Sequence, residues 1–272
     1  VYMTENRYDM LLSVLRNKNN IILQGAPGVG KTFAAKRLAY SMIGEKDESR
    51  IEFVQFHQNY SYEDFMMGYK PVNDGFELKH GIFYRFCQKA ANQPEKDFFF
   101  IIDEINRGNM SKIFGELLML IERDYRGTKT TLAYNGLTFT VPKNIYIIGM
   151  MNTADRSLAM IDYALRRRFS FFEIEPGFDS DGFVKYQDAL DNETFNELVV
   201  KVKELNKEIA LDKSLGKGFC IGHSYFCGQS TCSDEWMHSI VDYDILPMLS
   251  EYWFDDNGKL QRWENLLRGV FQ

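Results

Sequence analysis

Gly25-Ala26-Pro27-Gly28-Val29-Gly30-Lys31-Thr32 is the stretch from which the rest of the chain can be read. An apolar run, Ile21-Ile22-Leu23, precedes it, and Phe33, Ala34, Leu38 and Met42 follow at spacings that place them on one helix face. The octapeptide satisfies G-x-x-x-x-G-K-[ST] in the strand–loop–helix context that gives the pattern its meaning. Its glycines let successive backbone N–H groups turn toward an anion, and the helix that starts there adds its positive dipole end. Gly25, Ala26, Pro27, Gly28, Val29, Gly30, Lys31, Thr32 and Phe33 are therefore candidate contacts to a nucleoside triphosphate. Lys31 is expected to reach the β- and γ-phosphates, and the Thr32 hydroxyl to ligate Mg²⁺.

Phe98-Phe99-Phe100-Ile101-Ile102-Asp103-Glu104 is the second strong signal. Five consecutive apolar residues read as a strand buried on both faces, which implies a parallel sheet covered by helices. Two acids stand at its carboxyl end, where open α/β sheets place their ligands. Asp103 is expected to hold Mg²⁺, directly or through water, and Glu104 to polarise the attacking water. A further strand, Ile145–Met151, ends in Asn152-Thr153-Ala154-Asp155, a polar tip able to sense the γ-phosphate and the water. Arg166-Arg167-Arg168 then precedes a fifth strand, Phe169–Ile174, and in this order reads as an arginine finger aimed at a neighbouring subunit's nucleotide.

Between these signals, Tyr2–Asn17 reads as a leading helix and Ile51–Phe56 as the second strand. Ser61 is a fair N-cap with Asp64 three residues on. Asn73-Asp74-Gly75 turns a small hairpin inserted before a helix over about Ile82–Asn92, and Asn135-Gly136 turns a second hairpin within Thr130–Val141. Ser111 is expected to cap one helix running to about Arg123. From Phe178 the pattern is all-helical, with Phe195, Leu198, Val199, Val202, Leu205 and Ile209 as an apolar stripe. A loop over Gly216–Ser233 follows, then helices over about Trp236–Tyr252 and Leu260–Val270. Trp236, Trp253 and Trp263 are read as core, and His57 as a structural histidine.

Composition bounds the function. The 272 residues carry 45% hydrophobic and 26% charged side chains, enough for a real core. A net charge of −6 argues against a chain that binds nucleic acid over its whole surface. No segment has the length or order of a membrane span or signal peptide, and the four cysteines show neither disulfide nor zinc spacing. A cytoplasmic protein with reduced cysteines is expected, without contact to a membrane. The initial Val suggests a fragment of a longer protein.

Taken together, these features resemble the AAA+ ATPase module of the branch with a helix-2 insert and a pre-sensor hairpin. Met151-Asn152-Thr153-Ala154-Asp155-Arg156-Ser157 matches the signature loop of the McrB family, the motor subunits of 5-methylcytosine-specific restriction systems. Phe56-His57-Gln58, Tyr62–Phe65, Asp103–Asn109, Tyr163–Phe169 and Ile221–Phe226 are similar to that family as well. The resemblance implies a P-loop α/β fold: a parallel five-stranded αβα sandwich with both hairpins over 1–177, and a small all-helical lid over 178–272. It also implies GTP as the preferred nucleotide, Mg²⁺, a hexameric homo-oligomeric ring, an McrC-type nuclease partner and DNA recognition by an N-terminal domain absent here. Asn152 and Asp155 take the family's roles of positioning the hydrolytic water and the partner's inserted arginine, and Arg167 and Arg168 match its trans-acting finger positions. His223 stands in the lid where the wider superfamily has a sensor arginine, and is carried as a nucleotide-contact candidate. Two alternatives are an ATP-driven remodeller of the MoxR type, which shares the hairpin insert, and a nucleotide-gated scaffold without turnover. The signature loop speaks against the first, and intact Lys31, Thr32, Asp103 and Glu104 against the second.

Overall fold

A computed structural model describes residues 2–155 and 163–271. Arg156 and Ser157 of the signature loop, and Asp162 ahead of the arginine cluster, lie outside the described residues.

Helix α1 (Glu5–Lys18) leads into β1 (Asn20–Gly25), the phosphate loop and α2 (Lys31–Ile43). Strand β2 (Ile51–Gln55), the short α3 (Tyr62–Phe65), the hairpin β3 (Met67–Val72) and β4 (Gly75–His80), and α4 (Ile82–Ala91) follow. Then come β5 (Phe98–Asp103), the short helices α5 (Met110–Phe114) and α6 (Leu117–Leu120), and the second hairpin, β6 (Thr130–Thr131) with β7 (Thr138–Phe139). Strand β8 (Ile145–Asn152), α7 (Tyr163–Arg166) and β9 (Ser170–Glu173) complete the α/β part. The remainder is helical: α8 (Asp181–Leu190), α9 (Glu193–Leu211), α10 (Asp234–Ser239), α11 (Leu246–Tyr252) and α12 (Asn257–Arg268).

Five strands form one sheet in the order β2-β5-β8-β1-β9, and every pairing in it is parallel. Parallel sheets are stable when both faces are covered, and side-chain alternation divides the strands between two cores. Ile21, Leu23, Phe99, Ile101, Ile148 and Met150 face one core, which continues through α2 into the α9 stripe. Ile22, Phe98, Phe100, Ile102, Ile145 and Ile147 face the other, which is closed by α3, α4, α5 and α6. All six residues of the α9 stripe are buried.

Several expectations need correction. Phe33 does not share the buried face of α2: it is 53% exposed with the Arg37 guanidinium over its ring, while Ala34, Ala35, Leu38 and Ala39 carry the packing. The helix expected from Ser111 to Arg123 is two short helices. Asn109 is its cap, accepting from Lys112 N at 3.0 Å. Gly115 breaks it at φ 50°, ψ −128°, a conformation only glycine adopts easily. The second hairpin pairs over two residues on each side only. The helix read over Trp236–Tyr252 contains a π-helical segment, Ile240–Ile245, just ahead of Pro247. Proline has no N–H to donate, and a wider turn beside it relieves the α-helical ladder. Trp253 and Trp263 are buried as read, whereas Trp236 is only partly buried against the core.

Candidate functional site

The C-terminal ends of β1, β5 and β8, three adjacent strands, bring the first group of candidates together. Gly25 pairs with Asn152, and Thr153 N donates to Gly25 O at 3.1 Å, so the phosphate loop and the signature loop leave the sheet side by side. Gly28 and Gly30 take φ of 74° and 76°, the left-handed region that lets the loop curl without a side-chain clash. Lys31 Nζ folds back onto its own loop, donating to Gly25 O at 3.0 Å and Ala26 O at 2.8 Å. Burial pushes its ammonium down to about 8, against the pull of the Glu104 and Asp103 carboxylates. An anion seated in this loop would restore the charge that burial disfavours.

Glu104 is the strained residue of the site. Its φ of 50° and ψ of 44° are left-handed, a region that costs a non-glycine residue about 1–3 kcal/mol. Two contacts hold it: its N–H donates to Asp103 Oδ1 at 3.0 Å, and its carbonyl accepts from Arg107 N at 2.9 Å. The turn aims the carboxylate toward β8, where Asn152 Nδ2 donates to Oε1 at 2.9 Å. Arg107 bridges Glu104 Oε2 and Asp155 Oδ2, each at 3.2 Å. A cleft of about 510 Å³ opens beside these groups, lined by Pro27, Asn152, Asp155, Phe219, Tyr252 and Phe254 among others.

The lid closes on the phosphate loop from the other side. Gly222 packs so tightly on Gly28 that a Cβ there would overlap the Gly28 carbonyl, and Ser224 N donates to Gly28 O at 2.9 Å. His223 is buried and accepts from Gly177 N at its Nδ1, 2.8 Å away. That bond assigns the proton to Nε2, which lies 3.6 Å from where a Cβ of Gly30 would stand. Burial pushes its imidazole down to about 4, so at neutral pH it is an uncharged donor beside the loop.

Arg167 and Arg168 are not at this end. They precede β9, whose Ser170 pairs with Ile21 near the start of β1. At about 3.3 Å per residue, the strand separates them from the phosphate loop by at least about 16 Å. Arg167 is exposed. Arg168 Nε donates to Leu118 O at 2.6 Å and lies 3.0 Å from Glu122. Beneath them is a group that sequence reasoning missed. Asn20 Nδ2 donates to Arg168 O at 3.1 Å and to Ile121 O at 2.6 Å, and its Oδ1 accepts from Arg126 at 2.6 Å. Arg126 is buried and spends its other donors on the carbonyls of Ile121, Pro142 and Ile145. Burial pushes its guanidinium down to about 10.

For a divalent cation, Thr32 and Asp103 offer hard oxygen donors at adjacent loop and strand ends. No group of three or more His, Cys, Asp or Glu among the described residues could hold a metal. Mg²⁺ is commonly held by one or two protein oxygens with substrate phosphates and waters completing the shell, and Thr32 and Asp103 would supply that number.

The family model for the AAA domain (dynein-related subfamily) matches residues 20–169, and that for the McrB alpha-helical lid domain matches 197–261. The type IV methyl-directed restriction enzyme EcoKMcrB subunit of Escherichia coli K12 is 53% identical over 281 residues, covering 99% of this chain and 61% of that protein. The type II restriction enzyme BsuMI component YdiS of Bacillus subtilis 168 is 28% identical over 226 residues, covering 68% of this chain and 63% of that protein. The chain thus spans a little over three-fifths of the length of either relative.

Proposed function

The chain belongs to the AAA domain family, as an McrB-type AAA+ module with a helical lid, and from that premise we propose that it is the GTP-hydrolysing motor of a modified-DNA restriction system. The two similar proteins are named as restriction-enzyme components, which supports the setting. The single observation that carries the chemistry is the division of the parts: Lys31, Asp103, Glu104 and Asn152 gather at the C-terminal strand ends, and Arg167 lies at the far ends of the same sheet.

Phosphoryl transfer passes through a loose transition state, so catalysis consists of positioning and charge stabilisation. On this reading the curled loop N–H groups and Lys31 seat the phosphates, and Lys31 exchanges its two carbonyl partners for phosphate oxygens. Thr32 and Asp103 would hold Mg²⁺, which neutralises charge on the bridging phosphate oxygens when bound. Glu104, aimed by its left-handed turn, orients the attacking water and accepts its proton. Asn152 fixes Glu104 and faces the same water, and Asp155 takes up a guanidinium from outside the chain. His223 Nε2–H donates toward the phosphate loop in place of a lid arginine. Arg167 and Arg168 complete the site of a neighbouring copy in a ring, hexameric by family resemblance, with cleavage left to a nuclease partner and DNA recognition to another domain.

A Mg²⁺-dependent binding competition between GTP and ATP tests the nucleotide assignment. The expected result is strong preference for GTP. Preference for ATP would overturn the restriction-motor assignment and move the function toward a general AAA+ remodeller.

A further inference from the structure

Arg107 has no task in the reading above, yet it joins two of that reading's principal acids. It stands three residues after Glu104, on the 3₁₀ turn Ile105–Arg107 that leaves β5. Its Nε donates to Glu104 Oε2 and its terminal nitrogen to Asp155 Oδ2, both at 3.2 Å. Asn152 holds the other Glu104 oxygen. Both oxygens of the carboxylate that should accept a proton from water are therefore committed, one of them to a cation. A water seated against this carboxylate would have to displace one of its two donors to form a hydrogen bond with it. The arrangement is also accessible in the right order: the Arg107 side chain is 46% exposed and covers Glu104 at 13% and Asp155 at 23%.

We propose that Arg107 is a resting latch on the catalytic carboxylate. While it bridges Glu104 and Asp155, the water-activating acid and the signature loop are tied to each other. Displacing the guanidinium frees one Glu104 oxygen and cuts its tie to Asp155 of the signature loop, which makes the unassembled chain slow for a reason separate from its lack of a neighbour's arginine. Arg107 acts through Glu104 and is a positioning residue. The inference rests on the nucleoside-triphosphatase reading of the site.

Steady-state GTP and ATP turnover of the dilute wild-type chain, Arg107→Ala and Arg107→Lys tests it. An exposed ion pair contributes little to stability, so both variants should fold, which their thermal unfolding checks. The expected result is a kcat raised about threefold or more in R107A, the weight of an exposed ion pair. KM should stay within about twofold, the split that separates a catalytic restraint from lost binding. R107K should fall between, because an ammonium meets one carboxylate but lacks the fork that bridges two. Wild-type turnover with an unchanged or lower kcat in R107A would overturn the latch alone. No wild-type turnover with either nucleotide, in dilute or in concentrated protein, would overturn the triphosphatase reading, and the latch with it.

Discussion

The two ends of the central strands are built in opposite ways. At the C-terminal ends, charged side chains are partly exposed: Lys31 bonds carbonyls of its own loop, Glu104 bonds Asn152 and Arg107, and Arg107 bonds Asp155. At the N-terminal ends, one buried cation, Arg126, is held by carbonyls and by Asn20, and no carboxylate among the described residues pairs with it. The first arrangement can rearrange at small cost, since exposed pairs contribute roughly 0–1 kcal/mol each. The second cannot, because freeing any of its members leaves a buried polar group unpaired. The difference teaches that one end is built to rearrange and the other to stay fixed beneath the exposed Arg167. On the proposed reading, a single chain holds both halves of a catalytic centre and cannot bring them together.

The comparison breaks first if the arginines are dispensable. Arg167→Ala with Arg168→Ala should lower turnover of assembled protein by about 10³–10⁵-fold, the worth of a finger supplied in trans, with nucleotide binding retained. Equilibrium binding beside steady-state turnover checks this. Rigidity of the fixed end is tested next. Arg126→Met leaves the carbonyls of Ile121, Pro142 and Ile145 without their donor, and should cost about 3 kcal/mol or more in denaturant unfolding.

Acid stability sharpens the contrast at the lid. His223 is neutral when folded, pushed by burial from 6.5 to about 4. Its folded value lies below its unfolded value, so the unfolded chain binds the proton more readily. Stability is undiminished above pH 6.5 and falls as pH drops from 6.5 toward 4, by up to about 3 kcal/mol for this group. Unfolding of wild type and His223→Gln across that window should show the variant's slope reduced; equal slopes would mean that the histidine is not held neutral.

Much of this was legible in the sequence because local chemistry enforces it. A glycine-rich loop between a strand and a helix, and Phe98–Ile102 ending in two acids, permit few other folds, and the structure has both. The signature loop leaves the sheet beside the phosphate loop, Asn152 pairing with Gly25, a neighbour that chain order did not give. The apolar spacing of Ile113, Phe114, Leu117 and Ile121 correctly marked buried residues, although the single helix it suggested is broken at Gly115. Phe33 misled because its spacing fits a stripe that three alanines and a leucine already fill. Asn20 and Arg126 were not legible. They are 106 residues apart, and their partners are mainly backbone carbonyls, which no side-chain pattern announces. Arg107 left only a three-residue spacing from Glu104 as a signal.

The most direct test of the shared site is to mix two defective chains. Lys31→Ala removes the phosphate lysine and leaves the arginines intact; Arg167→Ala with Arg168→Ala does the reverse. Each should be nearly inactive alone. Mixed in equal amounts, they should recover up to about a quarter of wild-type turnover, the share of neighbour pairs that unite an intact loop with intact arginines under random ring assembly. A mixture no more active than its components, or an arginine-free chain that turns over at the wild-type rate by itself, would contradict the account.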